Sequence, residues 1–292
     1  MTLFSGFERR WFEVGDVVIH GVVGGSGPPL LLLHGYPQTH AIWHHVAARL
    51  RDHFTVVATD LRGYGGSSKP PGLPDHSNYS KRAMAEDQVR VMASLGFERF
   101  QVAGHDRGGR VAHRMALDHR ARITRWAVLD IVPTRTMYAR TDRVFAEAYY
   151  HWFFLIQDAP FPERLIEADS DFFLIKHLSS RHAGLAPFDR EALAQYREAF
   201  RVPATIHATC EDYRAAATID LEHDEADLGR PVQAPLLVLW GKHGVIERCF
   251  RPLEDWGERA TTVTGRPLEC GHYLPEEAPA ETASELRRFF EG

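Results

Sequence analysis

Five short stretches of this chain are apolar almost without interruption: LLLLH (30–34), FTVVATD (54–60), FQVAG (100–104), WAVLD (126–130) and APLLVLWG (234–241). A strand with one wet face alternates polar and apolar residues, whereas a continuous apolar run of this length is buried on both faces. A parallel sheet enclosed between helices buries its strands that way. The segments between the runs agree with this. YSKRAMAEDQVRVMASLG (79–96) repeats apolar residues at three- and four-residue steps and closes on Gly96. RGGRVAHRMALDHR (107–120) and PAETASELRRFFEG (279–292) are also helical in pattern. The alternation predicts a doubly wound α/β fold with a mostly parallel sheet. VVIHGVV (17–23), punctuated by glycine, reads as an edge hairpin strand.

The alternation fails between the fourth and fifth runs. MYARTDRVFAEAYYHWFFL, PERLIEADSDFFLIKHL and DREALAQYREAFRVPATIHATCEDYRAAA are aromatic-rich, helical in pattern and without a strong strand. The expected organisation is an α/β core of residues 1–133 and 227–292 with a helical cap, 134–226, inserted after the strand ending at Asp130. With 292 residues, 44% of them hydrophobic, the chain can fill such a core. A net charge of -5 supplies no basic face for nucleic acid, and no apolar run is long enough to span a membrane. Cys210, Cys249 and Cys270 show neither metal-ligand spacing nor a disulfide framework, so a reducing, cytoplasmic setting is expected.

The turn after the third run carries the chemistry. In FQVAGHDRGGR a buried strand ends at Gly104, turns through His105 and Asp106, and enters a helix past Gly108. A nucleophile between two such glycines is the elbow of the α/β-hydrolase fold, usually built on serine. Here the central residue is Asp106. Its carboxylate lies at a helix N-terminus, where free N–H groups and the macrodipole favour the anion. A carboxylate displaces a leaving group from sp³ carbon and leaves an ester on the enzyme. Hydrolysing that ester needs a base, and His272 in GHYLPEEAP comes late enough in the chain to match this fold's order. The usual position for the acid that orients the base, after LLVLWGKHG, is occupied by Gly244, so the acid is assigned to Asp130 at the end of WAVLD. Asp60 reads as structural, beside a glycine turn. His34 and Tyr36, in LLLLHGYPQ, lie where the fold builds its oxyanion site from a backbone N–H. Arg107 and Arg110 share a helix face beside the nucleophile. Two guanidiniums in a pocket call for an anion, and Asp106 can neutralise only one while staying free to attack. A substrate carboxylate held by bidentate hydrogen bonds is the expectation.

AGHDRGGRVAHR, HGYPQTHAIW, WAVLDIVPT, YYHWFF, CEDYRAAA and GHYLPEEAP together resemble the fluoroacetate dehalogenases, the haloacetate-cleaving branch of the α/β-hydrolases, over nearly the whole chain. The resemblance implies hydrolysis of fluoroacetate- or chloroacetate-type haloacids to 2-hydroxy acids, with no metal and no organic cofactor. It implies Asp106 as nucleophile, His272 as base, Asp130 as its partner, and Arg107 and Arg110 on the substrate carboxylate. It assigns the halide ion to His151, Trp152 and Tyr213; from the residues alone, His151 and Trp152 read as aromatic packing of the cap. A homodimer is also implied. Tyr36 departs from the phenylalanine frequent at its position, and KHGVIERCF diverges from the family pattern. An epoxide hydrolase is the alternative, needing Tyr213 and one of Tyr149, Tyr150 or Tyr196 as paired donors. A non-enzymatic small-acid sensor would have no use for the base.

Overall fold

The structure is a computed structural model in which residues 3–292 are described. Among them, eight strands form one sheet. They are β1 (Glu8–Val14), β2 (Val17–Gly25), β3 (Pro29–Leu33), β4 (Thr55–Thr59), β5 (Phe100–His105), β6 (Ile123–Leu129), β7 (Leu236–Gly241) and β8 (Val263–Leu268). Their order is β1-β2-β4-β3-β5-β6-β7-β8; β1–β2 and β2–β4 pair antiparallel and the remaining pairs are parallel.

The continuous apolar runs do what two-sided burial requires. Along β3, Leu31 and Leu33 pack in one hydrophobic layer and Leu30 and Leu32 in the other, and Val238 and Leu237 divide likewise along β7. Helices Lys81–Ser94 and Arg107–Asp118 cover one face. His44–Leu50 and Pro279–Glu291 cover the other. One expectation is corrected: VVIHGVV is not the edge. The edge is β1, ERRWFEV, which pairs with β2 from Glu8↔Val23 to Val14↔Val17. Its charged residues face solvent and only Phe12 and Val14 are buried, so its sequence lacks the apolar run that marks the inner strands.

Between β6 and β7 the chain is helical, as expected, but the three long patterns are cut into shorter helices. Asp142 accepts from the Phe145 N–H at 2.8 Å and starts Arg143–Ala148. Asp169 accepts from the Phe172 N–H at 2.9 Å and starts Ser170–Ser179. Pro203 cannot continue Arg190–Phe200 and instead opens Pro203–Ala217. These side-chain caps compete locally with a pattern that reads as continuous helix.

A buried carboxyl joins this helical segment to the sheet. Glu276 accepts from the Tyr196 hydroxyl at 2.8 Å and from Gln38 Nε2 at 2.6 Å. Burial outweighs these hydrogen bonds and pushes its carboxyl up to about 8. Stability contributed by the neutral form is complete below the ordinary 4.5 and is lost as pH rises toward 8. Glu276→Gln should therefore lose roughly 3–4 kcal/mol less than the wild type between pH 5 and pH 8. Urea midpoints at the two pH values measure this; parallel declines would remove Glu276 as the titrating group.

Candidate active site

Site residues gather at the C-terminal ends of parallel strands, where open α/β sheets bind ligands. Tyr36 follows β3, Asp106 follows β5, Asp130 follows β6 and His272 follows β8. Asp106 has φ 48° and ψ -114°, a conformation most residues avoid, at a cost of about 1–3 kcal/mol. Close packing on both sides holds it there. A Cβ on Gly104 would overlap the Gly108 carbonyl, and one on Gly108 would overlap the Leu33 carbonyl, so only glycine lets the helix sit this near β5 and β3. The Asp106 N–H donates to the Leu129 carbonyl at 3.2 Å, and Asp106 Oδ1 accepts from the Tyr36 N–H at 2.9 Å. Burial opposes ionisation of Asp106, yet His272, His105, Arg107 and Arg110 together hold its carboxyl below the usual carboxylate range.

His272 Nδ1 donates to Asp130 Oδ2 at 2.6 Å, and the Gly241 N–H donates to Asp130 Oδ1 at 2.8 Å. The carboxylate fixes the tautomer and leaves Nε2 as the basic atom. A Cβ at Gly244 would lie 3.4 Å from Asp130 Oδ1, so the two positions at which an orienting acid is expected converge on one place. His105, buried and neutral because burial pulls it down to about 3, donates from Nε2 to the His272 carbonyl at 2.8 Å. The pattern H-D-R in the elbow hid this buttress, since nothing in sequence distinguishes it from a turn residue.

The two arginines differ. Arg107 is fully buried and donates to Asp212 at 3.0 Å from Nε and 2.6 Å from Nη2. Asp212 also accepts from Tyr64 at 2.6 Å and from Lys81 Nζ. Burial raises the Asp212 carboxyl, but Arg107 and Lys81 overcome it and hold Asp212 well below its ordinary value. Counting only Asp106 against both guanidiniums was therefore incomplete: the cap supplies the anion for Arg107. The available signal was the helix PATIHATCEDYRAAA, whose charged residues sit in an Ala/Thr run with no polar face. Among the described residues Arg110 has no such partner. It donates to the Val132 carbonyl at 3.2 Å, the Thr134 hydroxyl at 2.9 Å and Met137 Sδ at 2.9 Å. Burial, then Arg107, pulls its guanidinium below the ordinary value. Arg114 points elsewhere, to Asp118 and Asp227.

His151, Trp152 and Tyr213 do come together. The Tyr213 ring lies 5.7 Å from His151 and 6.1 Å from Trp152, with Arg107 over Tyr213 at 4.1 Å and Arg110 over Trp152 at 4.7 Å. His151 Nδ1 and the hydroxyls of Tyr213 and Tyr36 are buried without a protein partner. Burial, then His177 and Arg181, keeps His151 far below its ordinary value and so neutral. His34 offers no ring atom to the cavity: its Nδ1 donates to the Gly35 carbonyl at 2.9 Å and its Nε2 accepts from the Leu61 N–H at 3.0 Å. What the His34–Tyr36 loop presents to Asp106 is the Tyr36 N–H. Asp60 holds His20 and His40 at 2.8 Å each and the Gly66 N–H at 2.8 Å. These three side chains are the trio of the described residues close enough to share a cation, and both rings meet the carboxylate as hydrogen-bond partners. A cleft of about 300 Å³ lined by Tyr149, Arg181 and Gly244 opens onto His272.

A mostly parallel sheet with a residue-bearing elbow after β5, an acid after β6 and a late histidine defines the α/β-hydrolase class. The chain belongs to the alpha/beta hydrolase fold family, whose model matches residues 28–279. It is 53% identical over 98% of its length to a fluoroacetate dehalogenase of Burkholderia sp, of which 95% is covered. It is 33% identical to a soluble epoxide hydrolase of Corynebacterium sp. (strain C12), over 93% of each chain. A crystal structure of an α/β hydrolase from Nostoc sp PCC 7120 shares 56% identity and superposes with a TM-score of 0.97 over 98% of this chain and 99% of that one. The resemblance read from the motifs thus extends along the whole chain.

Asp212 neutralises two buried cations. Asp212→Asn should destabilise the fold by about 3–5 kcal/mol, because removing one member of a buried ion set strands the others. Denaturant unfolding measures this, and a loss under about 1 kcal/mol would show that Arg107 and Lys81 are satisfied without it.

Proposed function

We propose that the protein hydrolyses haloacetates to 2-hydroxy acids through an ester on Asp106. The observation that carries this reading is Arg110: a buried guanidinium one helical turn from the nucleophile, hydrogen-bonded to no carboxylate among the described residues. Such a cation favours a substrate that brings its own anion. The Arg110 fork and the remaining Arg107 Nη1 take the substrate carboxylate, which sets the α-carbon before Asp106. The carboxylate displaces halide, which leaves with the bonding pair toward His151, Trp152 and Tyr213. Fluoride is strongly hydrated and leaves poorly, so donors aimed where its charge develops lower the barrier. His272 Nε2 then takes a proton from water, whose oxygen adds to the Asp106 carbonyl carbon. The developing oxyanion is held by the Tyr36 N–H already on Oδ1. Collapse releases the 2-hydroxy acid, with inversion where the α-carbon is chiral.

Residues 134–226 act as the cap that dries this site, since they carry His151, Trp152, Asp212 and Tyr213. The epoxide alternative finds less support: Tyr196 is engaged by Glu276 and Tyr150 is half exposed, which leaves Tyr149 as the only second donor of the three. Exposed Phe161 and Leu165, one turn apart on one cap helix, and Phe172 on the next suit a second copy of the chain. The cysteines are free, and no helix among the described residues is long and apolar enough to cross a membrane; the cytoplasm is the compartment we favour.

With His272→Asn and chloroacetate, intact mass should show a persistent carboxymethyl ester on the peptide containing Asp106. Label on any other residue rejects the assigned nucleophile, and diol from styrene oxide without halide from haloacids would favour the epoxide reading. Arg110→Gln should raise KM for chloroacetate about 10- to 100-fold. Tyr213→Phe keeps the ring over Arg107 but removes the hydroxyl, so turnover of fluoroacetate should fall about tenfold more than that of bromoacetate. Equal losses would separate this hydroxyl from halide departure.

A further inference from the structure

Arg181 follows the cap helix Ser170–Ser179 and lines the cleft above His272. Its guanidinium lies 4.6 Å over the Tyr149 ring, Nη1 donates to the Ala148 carbonyl at 3.1 Å, and Nε is buried without a partner. Among the described residues it makes no ion pair. One aromatic ring separates it from the reaction centre: Tyr149 is 5.3 Å from His151, and its hydroxyl is 3.4 Å from His272 Nδ1. Arg248, His182 and His243 also line the cleft, and its single carboxylate, Glu147, is engaged by Arg143 at 2.6 Å. Two guanidiniums, Arg181 and Arg248, thus line this opening in a chain of net charge -5. The space of about 300 Å³ equals roughly ten waters, and both Arg181 and His272 line it.

We propose that Arg181 makes this cleft a second carboxylate subsite, so that the protein prefers 2-halo dicarboxylates of the halosuccinate type over 2-halo monocarboxylates of equal length. This rests on the dehalogenase reading. The α-carboxylate sits on Arg110 and the distal carboxylate on the Arg181 fork. The bonds made and broken are those of the haloacetate reaction: Asp106 oxygen to α-carbon forms as carbon–halogen breaks, halide leaves with the electron pair, and water yields a 2-hydroxy dicarboxylate with its proton on His272.

The test compares kcat/KM for 2-chlorosuccinate and 2-chlorobutanoate, both four-carbon acids. The wild type should favour the dicarboxylate about tenfold or more. Arg181→Gln should bring the ratio near one, and Arg181→Lys, a point charge without the fork, should give an intermediate value. A wild-type ratio near one, or a ratio in either variant no lower than the wild type's, overturns the subsite. So does an equal rise in KM for chloroacetate and chlorosuccinate in Arg181→Gln, which would mark a general steering charge. Calorimetric binding of succinate against butanoate reads the subsite without carbon–halogen cleavage. If no haloacid releases halide, the dehalogenase reading fails, while a succinate preference lost in Arg181→Gln still supports the subsite and its absence rejects it.

Discussion

A carboxylate enclosed in a cavity stays ionised only where cations outweigh the loss of water, and every feature of this site follows from that balance around Asp106. Arg107 and Arg110 stand within one helical turn of it, yet two guanidiniums beside one carboxylate would leave excess buried charge. Asp212 resolves the excess by pairing with Arg107, and Lys81 and Tyr64 in turn complete the coordination of Asp212. Arg110 is then the cation whose compensation is left to Asp106 and to whatever enters the cavity. An anionic ligand completes the set where a neutral one would not.

The same balance explains why sheet and cap act together. The sheet alone supplies the elbow, the hydrogen bond between His272 and Asp130 and the backbone N–H of Tyr36. The helical segment supplies Asp212, and with it the rings of Trp152 and Tyr213 that close over the guanidiniums, with His151 beside Tyr213. Cation–π contact and hydrogen bonding thus join cap to core at the point where the charges meet. Glu276, between Tyr196 and Gln38, makes a second joint beside the loop of Tyr36.

Much of this was legible before any coordinates. Five apolar runs located five of the six parallel-sheet strands, because burial on both faces leaves an unbroken signature. The glycines flanking Asp106 marked the elbow, because no other residue tolerates that approach. β1 is not legible, because an edge strand with charges on its open face carries almost no apolar signal, and the cap reads as fewer, longer helices because capping by Asp142 and Asp169 is weaker in pattern than the periodicity it interrupts.

What the sequence determined by itself is the type and order of the chemistry: a carboxylate at a strained turn, a later histidine, an acid at the end of the preceding strand, arginines one turn apart. These are local relations, or relations of chain order, and they survive in one dimension. The tertiary structure alone decided which charges cancel. Asp212 meets Arg107 across 105 residues, His105 supports His272 across 167, and Arg181 pairs with no carboxylate among the described residues. Charge compensation depends on distance in space and on the exclusion of water, and neither can be read from separation along the chain.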